Sequence, residues 1–312
     1  MFATTGAERT IIRLALLIFV GLSFAPPALA QDDDDARPGA KSEPDFFEDK
    51  HLFGFTEGTD VGEAGGKEAE FTTTSGFGKK GRGVYQAVQQ EAAFEGAATD
   101  RFGYEIGLYG SWLNIANVPG LDNHGQVNFA GFSLMPKYIF LRRGIDAPFG
   151  FAISLEPEFE RIDNISGGRG KNYSMETRVY FDAELIPKKL LVATNIIYLP
   201  EASNEADGGT SRSALFGVTG AMSYRITPDT FVGGEVEYYQ AYQSLGFSNS
   251  VGSAFYAGPT LHLQMGPKAF LSLAWSAQLS SSPRTLTAEG VEAWNQADLS
   301  RQRARMVFGV EF

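Results

Sequence analysis

The sequence predicts an all-β fold, a transmembrane antiparallel up-and-down β-barrel of about 12 strands with short periplasmic turns and longer extracellular loops. Three observations support this prediction. From residue 67 onward apolar and polar side chains alternate with a period of two, the links between segments are alternately short and long, and aromatic residues gather near segment ends. A sheet in lipid satisfies its backbone hydrogen bonds only by closing on itself, so the three patterns together predict a barrel.

The composition excludes several other classes of protein. The chain has 312 residues, 36 of them Gly and 25 Phe, with no Cys and a net charge of -11. The lack of Cys excludes a disulfide scaffold and a Cys-ligated metal site. The negative charge argues against nucleic-acid binding. A mean hydropathy of -0.14, without a long apolar run after residue 30, excludes a multi-helix membrane protein.

The N-terminal region predicts export of the chain. Arg9 and Arg13 give the N-terminus a positive charge, and the apolar stretch that accompanies them ends before Pro26. Small residues then predict signal-peptide cleavage between Ala30 and Gln31. We therefore predict three regions: a signal peptide over 1–30, an acidic, flexible periplasmic leader over 31–66, and the barrel over 67–312.

The alternation assigns one face of each strand to lipid and the other to the lumen. Phe151, Ile153 and Leu155, for example, alternate with Ser154 and Glu156. Applied to the whole chain, the same rule predicts a set of charged side chains that line the lumen: Glu105, Glu156, Glu158, Glu160, Glu176, Arg178, Asp182, Glu184, Arg225, Glu235, Glu237, Arg303 and Arg305. Glu156, Glu158 and Glu160 lie on one face of one strand, and in the hairpin that this strand forms with the next we expect Glu156 to face Arg178.

The links and the aromatic residues define two predicted rims. Long polar links are expected near 114–125, 162–172, 200–212, 243–252 and 280–300, and short turns join the strands at the other end. Near the periplasmic rim we expect an outward-facing aromatic girdle that includes Phe140, Phe149, Phe231 and Phe270.

The lumen composition favours a passive, porin-like channel. A surplus of inward carboxylates favours small polar solutes and, among ions, cations. The alternative is a closed structural or surface-binding barrel whose lumen is filled by Glu–Arg pairs. A less favoured alternative is an outer-membrane hydrolase, but His262 has no Ser partner at strand spacing, and no catalytic residue, metal site or cofactor is predicted.

The C-terminal strand completes a resemblance to Gram-negative outer-membrane β-barrel proteins. Phe308, Val310 and Phe312 match that class's C-terminal pattern of alternating apolar residues, which serves as an assembly signal for the barrel-assembly machinery. The resemblance implies an outer-membrane location after cleavage and contact with membrane lipid, the assembly machinery and small polar solutes or ions. We expect a monomer, because trimeric porins are usually larger than this chain, and the negative charge argues against a nucleic-acid partner. Residues 52–60 also resemble the start of an uncharacterised family of proteobacterial barrels, which implies no known activity.

Overall fold

The computed structural model describes residues 50–205 and 208–312 of the chain. The predicted signal peptide, its cleavage site between Ala30 and Gln31, and the leader up to residue 49 lie outside the described residues.

The described chain forms a closed antiparallel barrel of 12 strands. Consecutive strands pair, and β1 pairs with β12 to close the sheet. No helix in residues 50–205 and 208–312 is both long enough and apolar enough to cross a membrane. The elements are β1 (Lys67–Phe77), β2 (Val84–Thr99), β3 (Phe102–Ala116), β4 (His124–Leu141), β5 (Phe149–Ile162), β6 (Arg169–Ile186), β7 (Leu190–Glu205), β8 (Thr210–Thr227), β9 (Thr230–Tyr242), β10 (Ser250–Gln264), β11 (Ala269–Ser282), α1 (Ala288–Gln296) and β12 (Gln302–Glu311).

The predicted two-residue period is present in the burial of the strands. In β3, Glu105, Tyr109 and Ser111 are buried, whereas Ile106 and Leu108 are 48% and 52% exposed. The buried side chains therefore face the interior, and the exposed apolar side chains face outward, where lipid covers them. The predicted fold class is confirmed.

Exposed aromatic side chains occur towards both ends of the strands, with one difference from the prediction. Phe140 and Phe149 are outward-facing and exposed near the periplasmic rim, where Lys67 and Phe312 also lie. Phe231 and Phe270 are only 4% and 5% exposed and face the interior. Val232 and Leu271 follow them directly and face outward. Because successive side chains of a strand point to opposite faces, Phe231 and Phe270 must point inward.

The links at the opposite, extracellular rim are shorter than the sequence predicts. Three of these links are shorter because the paired strands extend further into the hairpin than the alternation indicates. They are links 117–123, 163–168 and 243–249. Backbone pairing does not require alternating polarity where both faces of a hairpin meet water, so the sequence pattern ends before the strand does. The longest link, 283–301, contains α1.

The α1 link folds back over the interior of the extracellular half. Trp294 and Leu299 are fully buried against the inward-facing Tyr239 and Tyr256. The Asn295 amide donates to the carbonyls of Lys80 and Pro119, which ties this link to two neighbouring links. In the same region Lys79 donates to the Ala297 carbonyl at 2.6 Å, and burial lowers the pKa of Lys79 to about 8.

The assigned faces predict different responses to the same charge on β11. Leu273→Arg places a guanidinium on the lipid face and is expected to lower the free energy of unfolding by about 2–4 kcal/mol near the bilayer midplane. Gln278→Arg, on the inner face beside the Tyr256 hydroxyl, is expected to cost less because water and polar groups surround it. Reversible unfolding of both variants in lipid vesicles measures the difference, and equal losses would contradict the assigned faces.

Candidate functional site

Residues 50–60 run inside the barrel, and we call them the lumen segment. Leu52 and Phe53 are each 2% exposed and Phe55 is 5% exposed. The sequence predicts a flexible leader over this stretch, and the structure differs there: the segment is packed against inward-facing side chains. Its apolar residues are covered by Leu191, Ala193 and other buried residues of the neighbouring strands.

Side chains of the barrel wall bind the backbone of the lumen segment. Glu235 accepts hydrogen bonds from the amides of Phe55 and Thr56 at 2.9 and 3.1 Å. The Asn195 amide bonds both the N–H and the C=O of Glu57, at 2.8 and 2.9 Å. A buried segment without regular secondary structure needs such partners, since an unpaired buried amide is costly.

The charge on Glu57 joins two parts of the wall. Its carboxylate lies 3.0 Å from the Arg178 guanidinium and 3.1 Å from that of Arg305. Arg178 belongs to β6 and Arg305 to β12, so one carboxylate of the lumen segment pairs with cations from two separate strands.

The lumen segment is attached around most of the barrel circumference. The Thr59 amide donates to Asp182 at 2.7 Å, and Lys137 donates to the Gly58 carbonyl at 2.7 Å. Gly54 passes so close to the wall that an added Cβ would lie 2.3 Å from both Ala274 Cβ and Glu235 Oε1. A side chain at this position would displace the segment. Further polar contacts involve Glu70, Glu95, Glu105, Thr219, His262, Ser272 and Arg305.

The carboxylates of β5 are paired with neutral groups. Glu156, Glu158 and Glu160 accept hydrogen bonds from Tyr109, Ser174 and Gln89, at 2.9, 3.0 and 3.1 Å. None of the three has an ion-pair partner among the described residues. The β5–β6 ladder pairs Glu156 with Glu176, not with Arg178, so the expected register was wrong by two residues.

The arginines of the lumen form ion pairs with carboxylates other than those of β5. Arg303 pairs with Glu237 at 2.9 Å and lies 4.4 Å above the Phe55 ring. Arg178 pairs with Glu176 at 2.7 Å as well as with Glu57. The interior therefore has neutralised arginines on β6 and β12 and a row of carboxylates on β5 without ion-pair partners among the described residues.

The remaining predicted lumen charges divide between the interior and the periplasmic rim. Glu105 lies 3.4 Å from Lys50, and Asp182 lies 2.8 Å from Arg143. Glu184 accepts the backbone N–H of Lys188, and Arg225 donates to the Pro228 carbonyl. Glu184 and Arg225 thus bond to turns at the rim, because both lie at the ends of their strands.

Sequence reasoning missed the acidic and basic residues of the lumen segment. Lys50, His51 and Glu57 all precede the first strand, and the alternation that identifies lumen residues does not extend to them. The available signal was the apolar run of Leu52, Phe53 and Phe55 within an otherwise polar leader. Such a run is more consistent with burial than with a solvated tail.

His262 has a serine partner that the sequence did not indicate. Its Nδ1 lies 2.8 Å from Ser272 Oγ, across the β10–β11 ladder. Both Ser272 Oγ and His262 Nδ1 also lie within hydrogen-bond distance of the His51 carbonyl, which can only accept. A general base must accept the serine proton, and here the His51 carbonyl competes with His262 for it.

A family described as of unknown function, DUF6662, matches residues 45–312. The chain belongs to this family. The sequence matches no curated protein. The match of DUF6662 begins before the barrel and includes the whole lumen segment.

Solved structures similar to this DUF6662 chain are outer-membrane barrels. The COG4313 outer membrane channel from Pseudomonas putida F1 has a TM-score of 0.57 and 9% identity, covering 81% of this chain and 98% of that chain. The Beta domain of the Bordetella autotransporter BrkA has a TM-score of 0.49 and 10% identity, covering 80% and 100%. The KdgM porin in complex with disordered oligogalacturonate has a TM-score of 0.39 and 13% identity, covering 78% and 98%. The first similarity shows the fold of an outer-membrane β-barrel.

Removing the Glu57 carboxylate is expected to destabilise the protein. Glu57→Ala leaves Arg178 and Arg305 short of a buried partner, which costs on the order of 3 kcal/mol. The measurement is the urea midpoint of unfolding in detergent micelles. Glu63→Ala is the matched control, because Glu63 is exposed in the same stretch of chain. Equal midpoints for the two variants would show that the lumen segment contributes no stability through Glu57.

Proposed function

We propose that this protein is an outer-membrane channel for small polar solutes with a preference for cations, and that the lumen segment limits its conductance. The single observation that carries the cation preference is the row of Glu156, Glu158 and Glu160, which bond neutral donors and have no ion-pair partner among the described residues. Carboxylates without fixed cations favour mobile cations in a pore.

The lumen segment supplies the constriction in this proposal. Its contacts join strands around the barrel, and its apolar side chains occupy the periplasmic half of the interior. The attachments are individual hydrogen bonds and ion pairs, so their partial loss widens the path without unfolding the sheet.

The second candidate is a closed structural or surface-binding barrel without transport. The observation that favours it is the Trp294 cluster, in which α1 and Leu299 fill space between Tyr239 and Tyr256 at the extracellular end. A barrel filled from both ends would not conduct. An outer-membrane hydrolase has less support, because Ser272 and His262 are only 2% and 5% exposed and both contact the His51 carbonyl.

Single-channel recording in a planar bilayer with a KCl gradient distinguishes the two candidates. We expect brief, small openings from the wild-type protein, longer openings from Glu57→Ala, and a reversal potential that favours cations. Glu158→Gln is expected to move the reversal potential towards zero, because it removes from the path a carboxylate that has no ion-pair partner among the described residues.

Glu184→Gln is the matched control for selectivity, since Glu184 bonds to a periplasmic turn. An unchanged reversal potential in Glu158→Gln, or an equal change in both variants, would contradict the proposed path. Silence from both wild type and Glu57→Ala, with insertion verified by protease protection, would favour the closed barrel.

We further propose that the chain reaches the Gram-negative outer membrane after cleavage between Ala30 and Gln31 and acts there as a monomer, with lipid as its surroundings and without nucleic acid. The C-terminal residues Phe308, Val310 and Phe312 are proposed to engage the barrel-assembly machinery. β12 offers the chemistry for this, because a strand awaiting its β1 partner presents a free backbone edge.

Deleting Phe312 is therefore expected to lower the amount of assembled barrel in cells several-fold while leaving the stability of the folded barrel nearly unchanged. The Phe312 side chain is 63% exposed, so its loss removes little packing. Phe247→Ala, which alters a 66% exposed aromatic outside the terminal strand, is the matched control. Normal assembly without Phe312 would show that it is not part of the signal.

A further inference from the structure

A His and two carboxylates converge where the lumen segment meets β1 and β2. One ligand atom each from His51, Glu70 and Glu95 lies within 4.8 Å of the other two. His51 Nε2 is 3.2 Å from Glu70 Oε2, and the nearby Glu68 Oε1 is 3.9 Å from the same nitrogen. The three residues come from separate elements, so only the folded lumen segment brings them together.

The atoms that face one another in this cluster lack hydrogen-bond partners. His51 Nε2, Glu70 Oε2 and Glu95 Oε1 are all buried without one. The side chain of Glu70 is 4% exposed and that of His51 is 10% exposed. Unpartnered buried polar atoms of this kind are rare and costly in native proteins, so a group that satisfies them is expected.

The second oxygen of Glu70 and of Glu95 already has a partner, which leaves one oxygen on each carboxylate without one. Glu70 Oε1 accepts the Thr72 hydroxyl at 2.5 Å, and Glu95 Oε2 pairs with Lys50. The His51 ring stacks on Phe270 at 4.7 Å between centroids, and its backbone carbonyl is held by Ser272. Fixed ligand orientation through such outer contacts is typical of metal sites.

We propose that His51, Glu70 and Glu95 bind one divalent transition-metal cation, for which Zn²⁺ is a suitable probe, and that Glu68 supplies a further oxygen. One imidazole nitrogen with carboxylate oxygens is a donor set that such cations accept. In a tetrahedral zinc site with bonds of about 2 Å, ligand atoms lie roughly 3.3 Å apart. His51 Nε2 and Glu70 Oε2 already have this spacing at 3.2 Å, and all three ligand atoms lie within 4.8 Å of one another.

A second proton on the His51 ring is the competing explanation for the unpartnered atoms, but it provides partners for fewer of them. An imidazolium would satisfy Nε2 and Glu70 Oε2, but Glu95 Oε1 would remain without a partner. A single divalent cation satisfies one atom of each residue at once. It would also fix the lumen segment to β1 and β2 at the periplasmic end of the interior.

Zinc binding to the mature protein, refolded in detergent micelles, tests the assignment by calorimetry and by metal analysis after dialysis. We expect one tightly bound Zn²⁺ per chain and an affinity at least tenfold weaker in His51→Ala and in Glu70→Gln. Zn²⁺ should raise the unfolding midpoint of the wild type, since a ligand that binds only the folded state stabilises it. This increase should be smaller in both variants.

The matched controls are His124→Ala and Glu292→Gln, which change the same residue types at the extracellular end of the barrel. Both are expected to bind Zn²⁺ as the wild type does.

Glu91→Gln tests the other carboxylate group, formed by Glu91, Glu105 and Glu156. The absence of tight Zn²⁺ binding, equal affinity in His51→Ala and wild type, or a loss confined to Glu91→Gln would each overturn the proposal. Because Glu70→Gln keeps the shape of the side chain, it reports on binding even if His51→Ala fails to fold. None of these readouts depends on conductance, so this site and the channel can fail separately.

Discussion

The whole structure depends on the requirement that every backbone N–H and C=O within lipid has a partner. The pairing of β1 with β12, in which Phe71 lies opposite Phe308, removes the last free edge of the sheet. Closure fixes which side chains face inward. It also creates an interior that is polar on the strand faces and too wide to be filled by those side chains alone.

The lumen segment fills much of that interior without forming a strand or helix. A chain of this kind is stable inside a barrel only if the wall supplies partners for its amides, and Glu235 and Asn195 do so. Glu57 then balances Arg178 and Arg305. Arg178 and Arg305 thus pair with Glu57 and Glu176, whereas the β5 carboxylates have no ion-pair partner among the described residues.

Much of the fold and the inward-facing carboxylates could be predicted from sequence, whereas the partners of the site residues could not. The alternation of Ile106 and Leu108 with buried neighbours follows from local strand geometry, so it is visible in the sequence. Which residues lie opposite one another on neighbouring strands depends on the register. A shift of the register by two residues keeps the same faces inward but changes the partners, so Glu156 lies opposite Glu176 and not Arg178. Ser272 beside His262 is a cross-strand pair of the same kind.

The sequence by itself determined the strand-rich fold, its inward and outward faces and the presence of many inward carboxylates, because these properties depend on residues two positions apart. Only the tertiary structure decided that His51 and Glu57 belong to the interior. Both precede the first strand, and their partners lie from 17 to 248 residues away in the chain. Barrel closure brings these partners within 3.9 Å, a relation that no local pattern records.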